Sequence, residues 1–400
     1  MPDELRVESV GLRLQQHRRL RALTQQQVAD RLGVSRPTVA AIESGHRRLS
    51  PHLLVDLARA YGMEVSELVR APAPLPNLSA QFRVPLSALP LERPQLEQAL
   101  AMLEELIRDY LRLEDLLDTP LRVAPAPVYA FDEQRIDDDA DLVADAERRR
   151  LGLGDGPIYA LRDLLERELG LRTFSIDLPG GIAGLFGSSE NAGGCIALNA
   201  NHTLGRQRWT LAHETAHYLV AQHRPEVTRV AGYHRVPDLE RFAERFSESF
   251  LLPRSGLERR LREIVRGGRQ ATVADLLVLA SDFGVSAQAM VLRLEDLRFV
   301  PAGQWDRLAA SRLRIGEAHR LLDLVEPEPD ARTLPRRFTL LALEAYERAL
   351  ITERELAALL RMDRLGVRRI IQRLSTVADA SEHASGELEL GQPIEFDVRG

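Results

Sequence analysis

The 400-residue length exceeds one ordinary domain and predicts about two to four. At 44% hydrophobic and 28% charged, the chain has the make-up of a soluble globular protein, and no run of about 18 apolar residues exists to cross a membrane. The net charge of −6 excludes a whole-molecule attraction to nucleic acid, while the single cysteine, Cys195, excludes an internal disulfide and predicts a reducing, cytoplasmic setting. The first residues lack an apolar stretch followed by a small-residue cleavage site, so no secretory leader is expected. All 53 basic residues are arginine, a bias that lowers the weight of any one of them.

Residues 1–75 read as a compact set of short helices. LTQQQVADRLGVSRPTVAAIESG (23–45) has the form of a helix-turn-helix. Thr24 is placed to cap the first helix, Gly33 to make the tight turn, and Ser35 to cap the second helix with Pro37 in its first turn. Val28, Ala29, Leu32, Val39 and Ile42 supply the apolar contacts between the two. The exposed start of the second helix is then Arg36, Pro37 and Thr38, where a recognition helix meets base edges. Between residues 11 and 50, eight arginines (13, 18, 19, 21, 31, 36, 47, 48) face only Asp30 and Glu43, the local excess that phosphate contact needs. The same architecture would also serve a protein-interaction module.

These residues, with the helices that follow them, closely resemble the XRE family of Cro/repressor-type helix-turn-helix proteins over about 60 residues. The resemblance implies binding to a double-stranded DNA operator, with Gln25 on the DNA backbone and Arg36 and Thr38 on bases. Ser35 and Arg47 complete the expected contact set. Family members usually bind as dimers on two half-sites.

Residues 76–143 read as a linker that carries one helix. APAPLPNLS (71–79) breaks the chain, and APAPVYAFDEQRIDDDADLV (124–143) is polar and Pro-containing. In between, Leu96, Ala99, Leu103, Leu106, Tyr110, Leu113 and Leu117 are spaced alternately three and four apart across 94–118. That spacing is the seam of a short coiled coil and a route to a homodimer, or else the inner face of a helix packed on its own domain. Asp137-Asp138-Asp139 reads as a solvated part of the linker.

From 144 to 255 the pattern is mixed. A helix over 157–170 ends at Gly170. Strands are predicted at 171–178 and 194–204 around a Gly/Ser loop, then amphipathic helices at 206–222 and 237–252. The first of these carries LAHETAHYLV (211–220). Helical positions four apart lie about 6 Å apart, so His213 and His217 can both reach one tetrahedral zinc. Glu214 beside them suits a general base on water. The third ligand is open. His223 completes a metzincin-like frame, but Val220 stands where that frame needs its turning glycine. On the second helix the apolar stripe is Leu239, Phe242, Ala243, Phe246 and Phe250. Glu240, Glu244 and Glu248 lie about 100°, 140° and 180° from its centre. Glu240, nearest the buried side, is favoured, then Glu244, then His223.

The pieces RRRLGLGDGPIYALRDLLERELGL, IALNANHTLGRQRWTLAHETAHYLV and ERFAERFSESFLLP resemble the ImmA/IrrE family of metallopeptidases across residues 145–255. The resemblance implies a zincin-like core with a small sheet and a Zn2+ site completed by an acid opening the second helix, the place of Glu240. It also implies proteolysis of a repressor, often itself an XRE protein, in a stress or mobile-element response. Two departures stand out: the family's Ala-Asn pair is Ala243-Glu244 here, and its zinc-motif glycine is Ala216. A substrate strand is expected beside IALNANHTL, and His234 or Tyr233 as an oxyanion donor.

Residues 256–400 read as a helical C-terminal domain with a polar tail. LVLASDFGVSAQAMVLRLEDLRFV (277–300) has a helix, a turn at Gly284 and a second helix. LITERELAALLRMDRLGVRRIIQRL (350–374) has helix-turn-helix-like spacing without the turn glycine, and reads as a packing or dimerisation module in preference to a second DNA reader. The expected fold class is thus α+β, mainly helical: an all-α N-terminal helix-turn-helix, a zincin-like core with a small sheet, and a helical C-terminal region. The function expected is a regulator that carries an active zinc endopeptidase. A zinc-bearing sensor that cuts nothing, or a regulator that cleaves its own tether, stand as alternatives.

Overall fold

A computed structural model of the chain describes residues 10–11, 14–15, 18, 21, 23–47, 49–61, 93–121, 126–189, 193–221, 237–266, 270–310, 315–324 and 334–371. They fall into two units, Met1–Leu111 with Leu121–Pro335, and Arg112–Pro120 with Arg336–Gly400. The break at 71–79 and the polar tail lie outside the described residues.

The N-terminal helices follow from their caps. Thr24 opens α1 (Gln25–Leu32) with a capping box shared with Gln27, and Gly33 closes it at φ 65°, a left-handed turn that glycine adopts without strain. Ser35 caps α2 (Arg36–Glu43), and α3 (Pro51–Tyr61) follows. Val28, Ala29, Val39 and Ile42 are buried between them with Leu57 and Tyr61. Gly11 lets the preceding helical residues approach the end of α2, where a Cβ would stand 2.5 Å from the Ile42 carbonyl oxygen. Glu43 is almost fully buried and collects four bonds: two from Arg18 at 2.7 and 3.0 Å, one from Gln25 at 3.0 Å and one from the Tyr61 hydroxyl at 3.1 Å. Burial and the neighbouring Glu43 push the Tyr61 phenol far above its usual range.

Helix α4 (Arg93–Leu117) departs from the coiled-coil expectation. All seven seam residues are buried within the chain itself. Tyr110 donates to Glu166 at 2.9 Å, meets Phe174 edge-on at 6.4 Å and lies under the Arg172 guanidinium at 5.0 Å. The 3-4 spacing marks the inner face of a packed helix, and this seam has no surface to offer a second copy.

The expected linker over 124–143 is also corrected. Residues 136–143 begin α5 (Ile136–Arg150), whose Ile136, Ala140, Val143 and Ala144 join the main core. Asp137 of the acidic run pairs with Arg241 at 2.7 Å. Just before α5, the Tyr129 amide donates to the Leu219 carbonyl at 3.1 Å. The core around α5 therefore takes in residues well before 144.

Helix α6 (Leu161–Leu169) ends at Gly170, φ 68°, and leads into β1 (Arg172–Ile176). The segment read as a Gly/Ser loop contains β2 (Gly184–Ser189), and β3 (Gly193–Asn199) follows. The sheet order is β1-β3-β2, with β1 parallel and β2 antiparallel to β3. β3 is thus the central strand with both edges taken, and residues 200–204 leave the sheet for a turn and the next helix. Edge pairing beside IALNANHTL is excluded.

Two helices carry the histidines and acids. In α7 (Leu204–Ala221), Ala212, Ala216 and Leu219 are fully buried. In α8 (Pro237–Leu251), Phe242, Phe246 and Phe250 recur every fourth residue and stack at 6.4 and 5.2 Å. α8 also grips α5 through Arg245 and Asp141 at 2.8 Å. The unit continues through α9 (Arg254–Ile264), α10 (Val273–Phe283), α11 (Ala287–Asp296), α12 (Gln304–Ala310) and α13 (Ile315–Leu321). Gly284 (φ 64°) turns the chain between α10 and α11.

The second unit contains α14 (Arg336–Glu347), α15 (Glu353–Leu359) and α16 (364–371). Phe338, Ala342, Leu356 and Val367 are fully buried in it. Arg337 joins Glu114 and the Thr119 carbonyl. Among the described residues, no single helix is long and apolar enough to cross a membrane.

Candidate metal centre

One helical turn separates His213 from His217, and their Nε2 atoms converge to 3.1 Å. Glu240 opens α8 with one carboxylate oxygen 3.5 Å from His213 Nε2 and the other 3.7 Å from His217 Nε2. Each of the three residues offers a ligand atom, and these atoms lie within 4.8 Å of one another. A tetrahedral zinc with ligands at about 2.1 Å has edges of about 3.4 Å between ligand atoms. The observed separations bracket that edge, so the donor set fits zinc. Two imidazole nitrogens and one carboxylate also make a site of the right softness, since imidazole and carboxylate together suit zinc.

The other acids of α8 face elsewhere. Glu244 stands on the opposite ring nitrogen of His213, 3.5 Å from Nδ1, and takes a hydrogen bond from the Trp209 indole at 3.2 Å. Glu248 turns to Arg245 at 3.3 Å and Arg293 at 3.6 Å, and burial raises its pKa. Of the three, only Glu240 meets both histidines. Burial opposes charge on His213, but its contacts with Glu240 and Glu244 and the charge of Glu214 outweigh this and raise its pKa to about 9. His223, Tyr233 and His234 lie outside the described residues.

The site lies in a cleft of about 940 Å³. His213, Glu214 and His217 line it together with the β2 residues Gly184–Phe186, and the start of α11 contributes Ser286 and Gln288. β2 lies tight against α7: a Cβ on Gly184 would stand 2.5 Å from Thr210 Cγ2 and 3.7 Å from Glu214 Cγ. Sequence reasoning missed β2 and Trp209. Trp209 lies one turn before His213 on α7 and Glu244 one turn after Glu240 on α8; helical spacing puts each on the face of its neighbour, but the packing of α8 against α7 is what pairs them.

At the N-terminal face, Arg36 and Arg47 are exposed and Ser35 holds the Thr38 hydroxyl at 2.9 Å. An Arg47 Nη1–H also reaches that hydroxyl at 3.4 Å. The structure thus gathers Ser35, Arg36, Thr38 and Arg47 at the start of α2. Gln25, at the start of α1, donates one amide N–H to Glu43 at 3.0 Å.

Comparison with known families agrees with this division. Residues 14–68 match the helix-turn-helix family model, of the XRE type. Residues 166–295, which hold both histidines and Glu240, match the model of the IrrE N-terminal-like domain, a peptidase family. No curated protein matches the chain. The chain is therefore a fusion of an XRE-type helix-turn-helix domain with an IrrE N-terminal-like, metallopeptidase-type domain.

Proposed function

We propose that the chain is a DNA-binding transcriptional regulator whose IrrE-like domain is a zinc-dependent endopeptidase, and that its substrate is a repressor protein of the XRE type, cleaved in a stress or mobile-element response. The observation that carries this reading is the convergence of His213, His217 and Glu240 on one point in a cleft, with Glu214 beside them. A site that only sensed metal has less need of a carboxylate next to its ligands.

His213, His217 and Glu240 would hold the metal. When bound, zinc lowers the pKa of water and polarises a peptide carbonyl. Glu214 takes the proton of the attacking water and passes it to the departing amide nitrogen as the C–N bond breaks, leaving a carboxylate and an amine. Among the described residues no strand pairs with the outer edge of β2, whose residues line the cleft. An extended substrate segment would add there, antiparallel or parallel, through backbone hydrogen bonds. Tyr233 or His234, from the stretch between α7 and α8, would supply an oxyanion donor. Arg36 and Thr38 would read bases while Ser35 orients them and Arg47 contacts phosphate. Two copies on two half-sites would pair through a surface other than α4.

The test is cleavage of purified XRE-type repressors from the same genome by the zinc-loaded chain, beside Glu214→Gln. Fragments from the wild type and none from the variant are expected. Equal operator binding by both, with no repressor cut, would replace the peptidase by a sensor. Fragments of the chain itself near 71–80 would make it a self-cleaving regulator.

A further inference from the structure

The segment around α15 and α16 repeats the N-terminal helix-turn-helix residue for residue, without insertion or deletion. Thr352 caps α15 with a capping box to Glu355, as Thr24 caps α1 with one to Gln27. Leu356 and Ala357 are buried where Val28 and Ala29 are buried. Arg361 takes the left-handed turn at φ 53° where Gly33 takes it at φ 65°. Asp363 caps α16 by accepting the Gly366 amide at 2.6 Å, as Ser35 accepts the Thr38 amide at 3.4 Å. Val367 is fully buried at the place of Val39, and upstream Phe338 and Ala342 are buried at the places of Val10 and Leu14. The missing turn glycine is thus an arginine in the same backbone conformation.

What α16 shows to solvent decides its use. Arg364, Leu365, Arg368 and Arg369 are all exposed, and at 100° per residue they share an arc of about 140°. Val367 and Ile370 lie on the other side. No acid occurs from 364 to 371. Arg368 is paired with Glu353 at 2.9 Å, but among the described residues no carboxylate lies within ion-pair distance of Arg364 or Arg369. The turn between α10 and α11 makes an instructive contrast. There Gly284 and Ser286 repeat the turn and cap, but α11 buries Ala287, Met290, Val291 and Leu294 and serves as a cleft wall. A homotypic packing face built on α16 would bring like charges together around one leucine.

We propose that α14–α16 form a second DNA-binding domain, with α16 entering the major groove of double-stranded DNA. Arg364 and Arg368 point to base edges or phosphates at its N-terminal half, Leu365 offers an apolar contact of the kind that reads a thymine methyl, and Arg369 meets the backbone. The ligand class is duplex DNA, and the reading does not depend on the peptidase chemistry.

The test uses the full chain and a fluorescein-labelled pool of random-sequence duplexes, followed by anisotropy at several salt concentrations. Arg36→Ala with Arg47→Ala removes the first reader. That background is expected to keep binding duplex DNA. Adding Arg364→Ala and Arg369→Ala should then weaken binding about ten-fold or more and lower the salt slope by about two, roughly 0.9 per lost phosphate contact. Arg364→Lys with Arg369→Lys should keep most of the salt-dependent binding, which a merely structural role would not predict. Helical circular dichroism and zinc content confirm that each variant is folded. An unchanged affinity and slope in the alanine pair overturns the proposal. So does a change in sedimenting mass without a change in DNA binding, which would make α16 a packing surface.

Discussion

Removing either of two neighbouring carboxylates, Glu240 or Glu244, should have sharply different effects on zinc affinity. Glu240 spans both histidines, with oxygens 3.5 Å from His213 Nε2 and 3.7 Å from His217 Nε2. Glu240→Ala therefore leaves two imidazoles, and a tetrahedral structural or catalytic site needs at least three protein ligands. Glu244 touches only His213, at the far ring nitrogen, and is itself held by the Trp209 indole. Carboxylates in that outer position fix the tautomer and orientation of the ligating ring, and their loss costs about 10–100-fold in metal affinity, or about 1.4–2.8 kcal/mol. Glu244 is half exposed, its side chain at 56%, which places the expected value toward the lower end. Competition with a chromophoric chelator measures both variants on one scale. Loss of stoichiometric zinc in Glu240→Ala with a modest loss in Glu244→Ala, and a similar modest loss in Trp209→Phe, is the expected pattern. Zinc retained in Glu240→Ala but lost in Glu244→Ala would refute the ligand assignment and make Glu244 the third ligand.

Proton linkage gives a further check. In the metal-free protein His213 titrates near 9 instead of 6.5, so its contribution to stability, on the order of 3 kcal/mol, is complete below pH 6.5 and fades as pH rises to about 9. Thermal unfolding of chelator-treated protein should fall across that window, whereas zinc-loaded protein should not, because a ligating imidazole is already neutral; calorimetry at pH 7.5 in buffers of different ionisation enthalpy should show about one proton released per zinc. Glu43→Ala strands the Arg18 guanidinium and the Tyr61 hydroxyl inside the N-terminal domain and should cost about 3–5 kcal/mol, abolishing operator binding while zinc content stays the same; a loss below about 1 kcal/mol would show that the cluster is solvated. Gly184→Val should push β2 off α7, destabilise by about 1–3 kcal/mol and cut peptide turnover more than zinc affinity, and wild-type turnover in that variant would remove β2 from the substrate path.

The sequence was most informative where a local pattern has one physical outcome. Thr24, Gly33 and Ser35 are read correctly from residue type alone, because capping and left-handed turns depend on a few adjacent atoms. The convergence of His213 and His217 follows from helix geometry, and the projection puts Glu240 nearest the buried side, where the structure also has it. It does not order the other two acids, since Glu248, projected farthest out, is 28% exposed against 56% for Glu244. Failures came where the outcome depends on distant chain. The 3-4 pattern in α4 says that one face is apolar but not what covers it, and Tyr110 finds Glu166 and Phe174 far along the sequence. The start of α5 looked like a linker because Asp137 and Asp141 are charged, yet their partners Arg241 and Arg245 lie on α8. β2, rich in Gly and Ser, has no strand signature of its own and is made a strand by pairing with β3.

Among the described residues, turns of similar geometry lie at Gly33, Gly284 and Arg361, each between two helices. The turn therefore does not decide what such a pair does. In the first, α2 buries Val39 and Ile42 and leaves Arg36 to solvent. In the second, α11 buries Met290 and Leu294, and its first turn borders the metal cleft. In the third, α16 buries Val367 and turns Arg364, Arg368 and Arg369 outward. A glycine signature detects the first two and overlooks the third, since a long side chain can occupy the left-handed region at a cost of about 1–2 kcal/mol when the surrounding contacts enforce it. The discriminating quantity is the charge on the outward arc of the second helix. By that measure the first and third pairs resemble each other, and the second, whose start borders the metal cleft, stands apart.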